Sequence, residues 1–377
     1  MSPQPQYPMK RRTFNKLVAS GAASALASGK LTSTASAAPR AIPSNEGRMH
    51  VGCQHGRVDE TEIAFKARCG VRHIDGYAPK LIPGVGWDLE DALRQQELCA
   101  KYDIKIDAYH LPLSSAGIDR VATPNIMLGK SPERDREIEM IQQMIEVSAK
   151  AGVRALLYNT TILPVVRTER TPGRGGSTYS TWDMAKGMSE KAKFTKAGKV
   201  SVDEIYERIT YLLDRLLPVA EQFNVQLANH IADPPLPVGY RGITRWNSPD
   251  ILEGVKRFSK LYDSPSHGFN LCLGSSAEGM KDPNTEIHEL IRYVGSKKQI
   301  FNIHLRNIKG GWGHFQEVYP DEGDMDFLEV IKTLREVGYT YMVMPDHLPR
   351  HEDDSDSRQG FAFAYGYIKA LIQAAYS

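Results

Sequence analysis

Ile300-Phe-Asn-Ile-His304 is a short apolar run that stops on an imidazole. Its apolar residues read as a buried strand, with the histidine at the strand's end. The same pattern recurs on both sides. Val225-Gln-Leu-Ala-Asn-His230 and Gly268-Phe-Asn-Leu-Cys272 precede it, and Tyr341-Met-Val-Met-Pro-Asp346 follows. Each run halts at a residue type that binds metals. One histidine at a strand end is more often a hydrogen-bonded structural residue than a ligand. Four such residues on four successive strands are harder to explain that way. In a (β/α)₈ barrel all strands point the same way, and their C-terminal ends meet at the mouth where barrel enzymes carry their chemistry. His230, Cys272, His304 and Asp346 would then surround one point, as a divalent transition metal needs. Sulfur in the set favours Mn²⁺, Fe²⁺ or Zn²⁺ over Mg²⁺, and a bound ion lowers the thiol pKa enough to give the thiolate.

Working outward, apolar runs alternate with longer helical patterns, the signature of an α/β barrel. Further strands are expected near Met49–Cys53, Val71–Asp75, Ile104–His110 and Arg154–Tyr158, which makes eight in all. Helices are expected at 59–69, 89–102 with Asp88 as cap, 202–223, 249–262, 285–294, 325–337 and 361–375. Another should open at Ser131, with Pro132 at its first position. Two long connections, 167–200 and 310–323, are expected to be lids or substrate walls. The tip Pro172-Gly-Arg-Gly-Gly176 reads as a hinge or a disordered turn.

The start of the chain reads as a targeting segment. Lys10-Arg-Arg-Thr-Phe-Asn-Lys16 is a twin-arginine word, an Ala/Gly/Ser-rich stretch follows, and Ala35-Ser-Ala37 offers a cleavage site. The expected organisation is a signal at 1–37, a linker at 38–48 and a single catalytic barrel domain at 49–377. The expected location is periplasmic or extracellular, with the twin-arginine export machinery as partner. A formal net charge of +2 argues against a nucleic-acid partner. Cys53, Cys69, Cys99 and Cys272 are too few in 377 residues for a disulfide framework. The sequence leaves a homo-oligomer open.

The words around the four ligands are more specific than the ligands. His230-Ile-Ala-Asp-Pro-Pro-Leu-Pro, Phe269-Asn-Leu-Cys-Leu-Gly-Ser, His304-Leu-Arg-Asn-Ile-Lys-Gly and Pro345-Asp-His follow in order. Upstream stand Leu128-Gly-Lys-Ser-Pro-Glu-Arg-Asp-Arg136, Ala151-Gly-Val-Arg-Ala-Leu-Leu-Tyr-Asn159 and Leu163-Pro-Val-Val-Arg-Thr-Glu169. From Met49 onward the chain resembles the mannonate dehydratase family, whose fold is the xylose-isomerase-like barrel. The resemblance implies a sugar-acid hydro-lyase that uses one divalent metal, Mn²⁺ or Fe²⁺. It also implies an acid/base role for His347, the histidine of Pro-Asp-His.

An imidazole titrates near neutrality and can give or take a proton there. Arg167 and Arg306 match family words and could hold a substrate carboxylate through paired hydrogen bonds. Asn159 and His110, near strand ends, complete the substrate-binding candidates, with His110, like His55 and Asp75, carrying a weaker claim. Leu348-Pro349 stands where the family has a glycine, and the family's acid/base tyrosine has no clean counterpart, Tyr365 and Tyr367 being nearby but out of register. Two alternatives stand beside the dehydratase: a sugar isomerase or epimerase on the same barrel, and an exported sugar-acid binding protein without turnover.

Overall fold

Runs of four or five apolar residues cannot bury two faces alone, and here eight of them close on one another. The computed structural model describes residues 47–189 and 193–377, without the side chains of residues 55 and 56. The strands are β1 (His50–Gly56), β2 (His73–Gly76), β3 (Lys105–His110), β4 (Ala155–Tyr158), β5 (Gln226–His230), β6 (His267–Cys272), β7 (Ile300–His304) and β8 (Met342–Met344). They form a closed barrel in sequence order. Every pairing is parallel, and β1 closes the ring against β8 with His50 opposite Met342. The expected signal at 1–37 and most of the linker lie outside the described residues. Cys53, Cys69, Cys99 and Cys272 form no disulfide.

The barrel interior is a packed core. Ala108, Ala155, Leu157, Ala228, Phe301, Met342 and Met344 form a buried cluster of their own, small residues facing large ones. The outer strand faces pack on the helices in a second, larger cluster. Local sequence sets the helix limits. Asp88 caps Leu89–Ala100 by accepting from the Glu90 and Asp91 amides. Ser201 and Glu204 form a reciprocal capping box on Val202–Phe223, which ends at Asn224 in the left-handed region. Several starts differ from expectation by one to three residues; the helix near Ser131 runs from Glu133 to Lys150, and Pro132 is its cap residue, with no side-chain cap bond.

The two long connections are not loose walls. Glu169–Pro172, Thr178–Asp183, His314–Glu317 and Ile308–Gly311 make one four-stranded antiparallel sheet. The connections after β4 and β7 meet in it, with Gln316 paired to Thr181 and Glu317 to Ser180. The glycine-rich tip is a short helical turn, Arg174–Gly176, and Arg174 holds Asp321 through two bonds of 2.7 and 2.8 Å. Buried backbone amides and carbonyls must be paired, and these segments pair with each other. Alternate residues of the sheet, Tyr179, Thr181, Phe315 and Glu317, are buried as a result.

Candidate active site

His230, Cys272 and His304 are the last residues of β5, β6 and β7, so the parallel strands carry all three to one end of the barrel. Cys272 pairs with His304, and Asn270 with His230. One donor atom from each of the three lies within 4.8 Å of the others. Asp346, two residues past β8, completes the group: its carboxylate is 3.4 Å from Cys272 Sγ and 3.6 Å from His304 Nδ1. His304 Nε2 meets the Asn270 side chain at 3.1 Å, which turns Nδ1 toward Asp346. His230 Nδ1 contacts the Ile231 carbonyl at 2.5 Å.

Charge in this group is set by burial against neighbours. Burial lifts the Cys272 thiol well above its ordinary range, although Arg306 works against it. Burial also opposes the Asp346 charge, yet His347, Arg306, His304 and His230 hold that carboxyl well below the usual range. Two imidazoles, one ionised carboxylate and a thiol that only a cation would deprotonate fit a divalent metal.

His347 follows Asp346, with Nε2 3.5 Å from its carboxylate. Nδ1 lies 3.2 Å from Glu317 Oε1 and 2.9 Å from an Arg306 nitrogen. Burial lowers its basicity, but Asp346 and Glu317 push the pKa up to about 9. The ring is 44 % exposed, so solvent screens part of that effect.

Arg167 and Arg306 stand behind these groups, and chain carboxylates meet their donors. Arg306 is fully buried and reaches Asp233 and Ser275 at 2.8 and 2.9 Å, Glu278 at 2.9 Å and Glu317 at 2.6 Å. Its Nε is 3.3 Å from Asp346. Arg167 meets Asp233 at 2.8 Å, Glu278 at 3.0 Å, and Glu317. Burial drives Glu278 up to about 8, against the pull of Arg167 and Arg306. Glu317 is held down at about 2: burial opposes its charge, and Arg167 and Arg306 prevail.

A cavity of about 400 Å³ opens over these groups. That volume lies in the small-ligand range of roughly 300–1,000 Å³. Its walls include His230, His304, Asp346 and His347, together with Asn159 and His110. Arg167 and Arg306 are not among the lining residues. The structure therefore sets these two candidates behind the wall, engaged with carboxylates of the chain. A larger cavity of about 1090 Å³ lies at the opposite barrel end, near Gln226, Ile300 and Tyr341, and holds none of the four converging donors. At that end His73 and Lys105 pair with Asp107 at 2.7 and 3.2 Å, a structural ion-pair cluster.

Glu278 and Glu317 carried no signal in the sequence, and Ser275 only closes the word Phe269-Asn-Leu-Cys-Leu-Gly-Ser. Glu317 falls inside a segment that reads as loop, and Glu278 follows a five-residue helix, Leu273–Ala277. Asp233 sits three residues past His230, inside the word His230-Ile-Ala-Asp-Pro-Pro-Leu-Pro.

The sequence pattern of D-mannonate dehydratase (UxuA) matches residues 178–375. Mannonate dehydratase 1 of Halalkalibacterium halodurans is 30 % identical over 340 residues, covering 80 % of this chain and 87 % of that one. The chain belongs to the D-mannonate dehydratase family. As a mannonate dehydratase homologue it is a sugar-acid dehydratase, a hydro-lyase. The crystal structure of mannonate dehydratase from Streptococcus suis serotype 2 superposes with a TM-score of 0.72 at 25 % identity, covering 88 % of this chain and 95 % of that one. A xylose isomerase domain protein from Planctomyces limnophilus shares the fold alone, with a TM-score of 0.54 at 14 % identity over 88 % of this chain and 99 % of that one. Mannonate dehydratases are metal-dependent, and His230, Cys272 and His304 form one of three groups among the described residues whose donor atoms could hold an ion.

Proposed function

We propose that this protein dehydrates mannonate or a closely related aldonic acid to a 2-keto-3-deoxy acid, with one Mn²⁺ or Fe²⁺ held by His230, Cys272, His304 and Asp346. The observation that carries the reading is the convergence of these donors beside His347 in one cavity. When bound, the ion supplies Lewis-acid stabilisation of negative charge developing next to the substrate carboxylate.

The chain does the rest. Ser275 holds the Cys272 sulfur from its amide and hydroxyl, at 3.4 and 3.2 Å. Arg306, through Nε, fixes the second Asp346 oxygen. Dehydration removes the proton α to the carboxylate and the hydroxyl on the next carbon, and His347 is the acid/base group we assign to that work. Its Nδ1 has an acceptor in Glu317 and a donor in Arg306. A proton arriving at or leaving this nitrogen therefore finds a partner in either state. Arg167 and Arg306 serve by holding Asp233, Glu278 and Glu317 rather than by grasping substrate.

The twin-arginine word supports export of the folded protein, which would allow metal insertion before translocation. Metal-loaded mature protein incubated with a panel of aldonic and uronic acids tests the function by product mass. Dehydration lowers the mass by one water. An unchanged formula would mark an isomerase or epimerase, and unaltered substrate with tight binding would mark a binder.

A further inference from the structure

The dehydration proposed above needs two proton movements. One proton leaves the carbon next to the carboxylate, and its C–H electron pair becomes the new double bond as the neighbouring C–O bond breaks. The departing hydroxyl takes a proton and leaves as water. The enol then loses its hydroxyl proton and gains one on carbon to become the keto acid, with no net redox change. His347 can serve one of these transfers, and another group is needed for efficient turnover.

The cavity wall narrows the choice among the described residues. Its titratable members are Tyr77, His110, His230, Asp233, His304, Asp346 and His347. His230, His304 and Asp346 belong to the metal-donor group. Asp233 is committed to Arg167 and Arg306 at 2.8 Å each. His110 and Tyr77 remain beside His347. The tyrosines near the family's tyrosine word are elsewhere: Tyr365 is 3 % exposed and packs on Phe65 and Phe361, and neither it nor Tyr367 lines the cavity. Tyr77 is 59 % exposed, with solvent around its ring.

His110 is built differently. It ends β3, and its Nε2 lies 2.8 Å from the carboxylate of Asp75 on the adjoining β2. Asp75 is fully buried. The two strands are clamped just beyond it, since a Cβ on Gly76 would stand 2.7 Å from Ile106 Cγ2. A buried carboxylate on one ring nitrogen fixes the imidazole's orientation and tautomer in the cavity wall. Burial disfavours the charged ring, but Asp75 and then Asp346 outweigh it and raise its basicity.

We propose that His110, held by Asp75, is the second proton-transfer group of this site, complementing His347 from the other side of the barrel ring. Asp75 is its positioning residue. β3 stands three strands from β8 around the closed barrel, so the two imidazoles approach a substrate from different directions. The inference rests on the sugar-acid dehydratase reading.

The test follows turnover, metal content and exchange of the substrate's C2 proton with D₂O in metal-loaded protein. His110→Asn is expected to keep its metal and to lose turnover by about 10²–10⁴-fold. Surviving C2 exchange in that variant assigns His110 to protonating the leaving hydroxyl, and lost exchange assigns it to proton removal at C2. Asp75→Asn should also lower kcat with KM little changed, because an amide favours the wrong tautomer. Turnover of His110→Asn within a few-fold of the parent overturns the proposal. So does a rise in KM alone, or loss of metal in step with activity. A Tyr77→Phe loss matched by an active His110→Asn moves the role to Tyr77. If the parent protein dehydrates no acid in the panel, the dehydratase reading falls and the pair falls with it. An active parent with an active His110→Asn variant removes the pair alone.

Discussion

The Cys272 thiol is fully buried among Ser275, Asp346 and Arg306, and burial, with Asp346 and Asp233 adding to it, holds its pKa well above the ordinary range. A cation is what would make it a ligand, so ligands and acid/base groups should separate on substitution. Cys272→Ala and His304→Ala are expected to lose the metal while the circular-dichroism spectrum stays that of a folded barrel. His347→Gln is expected to keep the metal and lose about 10²–10⁴-fold in turnover. Elemental analysis beside steady-state kinetics checks both, and full metal occupancy in the first pair would remove the ligand assignment. Glu278 gives a prediction in pH. Its folded pKa, about 8, exceeds its ordinary 4.5, so the folded state binds this proton more tightly than the unfolded chain. That contribution to stability is complete below pH 4.5 and is lost as pH rises through about 8. Urea titrations of the metal-free protein from pH 4.5 to 8.5 should show a decline that Glu278→Gln flattens. Parallel curves for the two proteins would refute it.

At the scale of elements, the accessory sheet is what carries Glu317 to His347. Its strand His314–Glu317 exposes one face and buries Phe315 and Glu317 on the other. The Phe315 ring lies under the Arg167 guanidinium at 4.9 Å, so one aromatic residue supports the ion cluster from below. Phe315→Ala should destabilise the protein by about 3–5 kcal/mol, the usual result of emptying a buried aromatic site. Turnover should fall with it, because Glu317 and Arg167 lose their backing. Phe315→Leu should recover most of both. Urea unfolding and product formation measure the pair of effects, and an active, stable Phe315→Ala would show that the sheet positions nothing. This sheet was hidden in the sequence for a physical reason. Its strands are short and mostly polar, and its central pairing joins residues more than 130 apart, Ser180 and Glu317. A half-exposed strand gains its identity from the partner, and the partner is set by the fold.

For the whole molecule, the twin-arginine word makes export the property to test. Changing Arg11→Lys and Arg12→Lys together should leave unprocessed protein in the cytoplasm, read by fractionation and the mass of the N-terminus. Unchanged export and cleavage would end that proposal. The sequence by itself determined the barrel and the place of its mouth. Parallel strands buried on both faces must be near-continuous apolar runs, and Ile300–His304 and Gln226–His230 are such runs, each stopping at a histidine. It likewise marked His230, Cys272, His304, Asp346 and His347, because strand direction alone sends them to one end. Only the tertiary structure decided what Arg167 and Arg306 face. A guanidinium can serve a substrate or a chain carboxylate equally well, and nothing local to either arginine reveals Glu278 and Glu317 converging on it. The Asp75–His110 pair belongs to the same class, since it joins residues 35 positions apart that meet only when β2 and β3 lie side by side.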